Sequence, residues 1–159
     1  MRLTAPTTPI DHGMDAIKKR LEVLRLRGAY VKAGVMGSKA RNDGETLTNA
    51  QLASIHEFGL GNAPARPFIR PPFLAHREEY LALLRKSYNE AIIRGDAKAF
   101  ERVLALIGFK MAADIKNYVT QGAGVPPPLA ASTIALKGSS RPLVDTGQLV
   151  NSITSEVVR

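Results

Sequence analysis

His56 and Glu57 stand side by side in "IHEFGLGNAPARPFIRPP", residues 55 to 72. An imidazole beside a carboxylate is raw material for acid–base catalysis or for a metal site. A zinc-hydrolase helix would carry its second histidine at position 60, where Leu60 stands, and Gly59 breaks the helix first. His12 and His76 have no ligand-like spacing to this pair. "GVMGSKA", residues 34 to 40, looks like a phosphate loop, but its serine precedes the lysine and turn-forming "ARNDGE" follows. Ser38, Ser87, Ser139 and Ser140 lack the G-x-S-x-G setting of a hydrolase nucleophile. Glu78 and Glu79 fit the solvated face of a long amphipathic helix. With no cysteine there is no thiolate ligand or nucleophile and no disulfide frame. The sequence therefore predicts no catalytic set, no metal and no cofactor.

Without catalysis, His56-Glu57 reads as a helix end running into a proline-stiffened loop. Thr48 to Phe58 forms the helix: Thr48 caps the backbone N–H of Gln51 and Gln51 reaches back, a capping box. Leu52, Ile55 and Phe58 are its expected buried stripe, and Gly59 its stop. Pro64, Pro67, Pro71 and Pro72 each fix their own φ and push the preceding residue out of the helical region. The stretch is thus extended, and it is expected to present Arg66, Phe68, Ile69 and Arg70. Phe68 and Ile69 could equally cover the end of the core. "GAGVPPPLAASTIALKGSSRP" is a second such connection, with a short helix at Ala130 to Lys137 and with Arg141 and Leu143 near its end. Long irregular connections inside a compact domain are usually functional.

The remaining elements follow from periodicity. Residues 1–11 read as a flexible arm because of Pro6, Pro9 and the threonines, leaving 12–159 as one domain. Met14 to Leu26 is a helix burying Met14, Ile17, Leu21 and Leu24, and Gly28 ends it. Tyr30 to Met36 and Ile153 to Val158 alternate as strands, and further strands are open in 37–47 or 60–70. A long helix from Pro72, with a stripe of Leu74, Leu81, Leu84, Tyr88 and Ile92, ends at Gly95. Asp96 then caps a helix carrying Phe100, Val103, Leu104, Ile107, Met111 and Ile115 to Gly122. Helices joined so tightly lie antiparallel. Asp145 and Gln148 form a second capping box that starts a short helix reaching Ser152. The expected fold is α+β: a small mixed or antiparallel sheet packed by several helices, with a long antiparallel helix pair and two Pro-rich loops.

Composition narrows the class. The 159 residues are 45% hydrophobic and 23% charged, near the globular average. No apolar run approaches the ~20 residues of a membrane helix, and the first residues lack a signal-peptide core, so a cytoplasmic folding compartment is expected. The net charge of +8, from 22 basic and 14 acidic residues, favours an acidic partner. The basic residues are scattered, and tryptophan is absent as a stacking platform.

"LTNAQLASIHEFG", "PARPFIRPPF" and "PPPLAASTIALKGSSRPLVDTGQLVNSITSEV", in that order, resemble the neck and tail-completion proteins of long-tailed bacteriophages. They are similar to the minor tail protein Z group and related tail-component families. The resemblance spans roughly residues 29 to 159 and leaves 1 to 27 unmatched. It implies a virion structural protein of the head–tail junction, assembled in the host cytoplasm. Such a protein forms a homo-oligomeric ring, hexameric to match the tail, around the channel through which DNA passes. Its partners would be neighbouring neck, tail-terminator or head-connector proteins, with nonspecific contact to channel DNA and no membrane. Carried onto this chain, the signature residues are His56, Glu57, Phe58, Gly59, Pro64, Ala65, Arg66, Pro67, Phe68 and Pro71. In the second block they are Asp145, Thr146, Gly147, Gln148 and Leu149; Arg70 joins the first block as an interface candidate. A tail terminator or adaptor ring is an alternative within the class, and a basic DNA-binding accessory protein is one outside it.

Overall fold

The structure, a computed structural model, describes residues 13–37, 47–121, 125–138, 140, 142–143 and 147–159. The expected arm at 1–11, Arg141, Asp145 and Thr146 lie outside the described residues, as do Gly122 and most of 37–47. The order is α1 (Met14–Arg25), β1 (Tyr30–Val35), α2 (Asn49–Phe58), α3 (Arg70–Arg94), α4 (Ala97–Thr120), α5 (Ala131–Lys137), α6 (Gln148–Asn151) and β2 (Ile153–Val158). A 3-10 turn, Leu26–Gly28, joins α1 to β1. This is an α+β fold in which β1 and β2 form a two-stranded antiparallel sheet.

The ladder is continuous from Tyr30↔Val158 to Val35↔Ile153. Val31, Ala33 and Val35 therefore share one face with Val157, Ser155 and Ile153. That face receives α4, and Gly108 sets the closeness of approach. A Cβ there would stand 2.9 Å from both Ser155 Oγ and Val31 Cγ1. Tyr30, Lys32, Thr154 and Glu156 point the other way and are exposed.

The α3–α4 pair is antiparallel, as the two-residue turn requires. Gly95 takes φ 66, and Asp96 Oδ1 accepts from Ala99 N at 2.8 Å, so both expected cap roles hold. Tyr88 meets Phe100 edge-on at 5.1 Å, and Tyr80 Oη donates to Asp114 Oδ2 at 2.6 Å, a register that runs backwards along α4. Phe100, Leu104, Ile107 and Ile115 are buried as expected, with Ala112 and Val119 added. In α3, Leu81, Leu84, Tyr88 and Ile92 are half-buried, but Leu74 is 66% exposed. The buried positions are instead Pro72, Tyr80 and Ala91. With α4 along its length and α1 only near its C-terminal end, 25 residues of helix bury a narrow seam.

Helix α1 corrects the sequence reading more sharply. Its most apolar stripe, Met14, Ile17, Leu21 and Leu24, is 46–56% exposed. The side that packs holds Val23, fully buried against Ala91, Phe100 and Leu104, with Leu26 beside it. Lys19 lies on that side too: a Cβ on Gly95 would come within 2.8 Å of Lys19 Cβ. Positions 19, 23 and 26 form a row at helical spacing, opposite the row 14, 17, 21 and 24. Helix α1 thus docks on the α3–α4 turn by its less apolar side and turns its apolar side outward.

Candidate functional site

The connector between α2 and α3 is built around one carboxylate. Helix α2 starts as expected, with Thr48 Oγ1 accepting from Gln51 N at 3.2 Å and Gln51 Oε1 accepting from Thr48 N at 2.8 Å. Its buried residues are not Leu52, Ile55 and Phe58 but Ala53 and Glu57, and Phe58 is 68% exposed. Gly59 ends the helix at φ 78, where a Cβ would press within 3.0 Å of Ala65 N. The chain then reverses through a Leu60–Ala63 bridge and returns, so that Arg66 N donates to the His56 carbonyl at 2.6 Å.

Glu57, 4% exposed, closes the loop. Its Oε2 accepts from Phe68 N at 2.8 Å and Ile69 N at 3.0 Å; its Oε1 accepts from Arg70 N at 3.2 Å and Arg70 Nε at 2.9 Å. The residue at the N-cap of α3, Ile69, offers no capping side chain. Glu57 therefore caps α3 from the preceding helix, where the positive end of the helix dipole favours a carboxylate. Burial alone would raise its pKa, but the three backbone donors and the Arg70 guanidinium outweigh it and hold the carboxyl below its usual 4.5. Both oxygens of Glu57 are thus engaged in holding the connector.

This staple places its neighbours. Phe68 is fully buried with Ile115, Val119, Val125, Leu143, Leu149 and Ile153, and Ile69 packs against the same cluster. Of the two readings of Phe68 and Ile69, cover of the core is the one observed, because the capped turn drives Phe68 inward; Leu143 is buried beside it. Arg66 and Pro67 are half-buried, whereas Pro64 and Ala65 are exposed. Arg66 ties the two Pro-rich connections together: its Nε donates to the Pro127 carbonyl at 2.9 Å and its Nη2 to that of Pro128 at 3.3 Å. Arg70 lies over the Phe58 ring at 5.3 Å, so this exposed aromatic carries a cation on its face.

Of the second signature block, Leu149 reaches the same place, the cluster of Phe68. Helix α6 begins at Gln148 with Gly147 at its N-cap, φ 77. The Asp145–Gln148 capping box rests on Asp145, outside the described residues. His76 pairs with Glu79 at 3.3 Å, away from His56. Among the described residues no three His, Cys, Asp or Glu side chains come together to hold a metal.

The sequence did not suggest the polar lock between α3 and α4. Lys110 Nζ lies 3.4 Å from Glu79 and 3.5 Å from Asp114, which also accepts from Tyr80. Burial and then the Asp114 carboxylate push the Tyr80 hydroxyl pKa well up. A residue spacing of 34 between Tyr80 and Asp114 carries no local signal.

No family model, curated protein or solved structure matches the chain.

Proposed function

We propose that the chain is a structural subunit of the phage head–tail junction, a tail-completion or neck ring that surrounds the DNA channel. The observation that carries the association part of this reading is the outward apolar row of α1. Met14, Ile17, Leu21 and Leu24 are about half exposed while the helix packs by its other side. Such a surface signals a partner. Phe58, Leu60, Leu106 and Phe109, each 64–68% exposed, are further apolar side chains at the surface. A subunit with unlike patches associates head to tail, and rotation closes the ring. The order of the "HEFG", "PARPF" and "DTGQL" blocks supports the neck assignment, and the +8 charge suits a surface near DNA.

The test is joining of DNA-filled heads to tails in extracts that lack this protein, with electron microscopy of the purified chain. Rings and restored joining are expected. A monomer that binds DNA with steep salt dependence would favour the DNA-binding alternative instead.

A further inference from the structure

Among the described residues the sheet has two strands, and each has one strand neighbour. Helix α4 covers a face, not an edge. Among the described residues, no backbone hydrogen bond joins Tyr30–Val35 or Ile153–Val158 to anything beyond their shared ladder. Among those residues, then, two rows of donors and acceptors on opposite sides of the sheet, each along a six-residue strand, have no further backbone partner. Neither row contains proline, and the one-to-one register has no bulge that would bend an edge away.

The charges on these strands are complementary. Lys32 and Glu156 lie opposite each other on the outer face, and each is its strand's single charged residue. Among the described residues no ion pair engages Glu156, while the Lys32 ammonium lies 5.5 Å above the Tyr30 ring. At the Val35 end a cleft of about 190 Å³, lined by Ala50, Ala53, Ser54, Phe58 and Ile69, opens between β1 and α2.

We infer that the partner of the β1 edge is the β2 edge of a second copy, so that the two-stranded sheets join into one continuous sheet around the ring. Placing β2 of one copy beside β1 of the next preserves the antiparallel alternation and repeats one operation, the condition for a closed ring. The register follows from the side chains. A shift of one residue would turn the apolar face of the neighbour outward. A shift of two would set Lys32 against Thr154 or Val158 in place of Glu156. Each interface then holds one cross-copy Lys32–Glu156 pair. This inference rests on the ring reading and supplies its contact.

Charge reversal tests it. In Lys32→Glu every interface, and the sheet within every copy, faces two carboxylates; in Glu156→Lys both face two ammonium groups. Each variant alone should need a roughly tenfold higher concentration to assemble, since like charges directly opposite on a sheet repel. An equimolar mixture should assemble at a lower concentration than either variant alone, because alternating copies restore unlike charges at every interface while the pair within each copy stays like-charged. Native mass spectrometry reads both, with circular dichroism to show that helix content is kept. Independently, the amides of Tyr30–Val35 and Ile153–Val158 in the wild type should gain protection from hydrogen exchange on assembly. Rings from either single variant at wild-type concentration, or strand amides unchanged on assembly, would sink the edge contact and leave the ring reading standing. A wild type that stays monomeric at every concentration overturns the ring and the edge together.

Discussion

At Glu57 one carboxylate serves four donors, three of them the backbone groups that open α3. Glu57→Ala leaves these donors and part of the Arg70 charge without a partner, and should cost about 3–5 kcal/mol, read from urea unfolding. Glu57→Gln should cost less, because the amide oxygen keeps part of the acceptance. The pH response has a definite sign. The folded-state pKa is depressed, so this stabilisation is fully present above 4.5 and fades as the pH falls through the lower folded value. Glu57→Gln should accordingly flatten the acid limb of the stability curve. Phe68→Ala should cost about 3–5 kcal/mol, the usual loss for a buried phenylalanine. Melting temperature checks it directly: an unchanged value would return Phe68 to the surface.

Among the elements, short-range signals were the legible ones. The Thr48–Gln51 box, the Gly95–Asp96 turn and strand β2 stand where local chemistry put them. Thr48→Ala should cost ~0.5–2 kcal/mol in chemical denaturation, the ordinary loss of a cap. Long-range features were not legible. Phe68 looks displayed in "PARPF" until Glu57, eleven residues earlier, is seen to hold its amide. The apolar row of α1 suggested burial, because periodicity marks which residues share a face but not what that face meets. Gly108 reads only as a weak point in a helix, yet it is where the sheet rests. Gly108→Ala should gain helix propensity of up to ~1 kcal/mol and lose more, about 1–3 kcal/mol, to the 2.9 Å clash, a net loss of up to about 2 kcal/mol. Differential scanning calorimetry gives the sign; a raised melting temperature would mean that α4 moves away freely.

For the whole molecule, the outward row of α1 separates folding from assembly. Leu21→Asp sits on a half-exposed position away from Val23, so the monomer's stability should change by no more than about 0.5 kcal/mol. Head–tail joining should nevertheless fall sharply, because a charge placed in an apolar contact must be desolvated. Thermal melting and joining, measured on the same preparation, distinguish the two effects. A parallel loss of both would make the row part of the fold.

The two strands of the sheet are separated by α2 to α6, and this has a consequence for synthesis. The α3–α4 hairpin contains its own contacts and can form as soon as it leaves the ribosome. Strand β1 is made early, yet its strand partner among the described residues emerges last of those elements. Closing so long a loop is slow compared with forming a helical hairpin. During that interval both sides of β1 are open, and a neighbouring nascent chain offers the same strand sequence. Crowded translation of this message should therefore favour exchange of β2 between copies before any ring is complete.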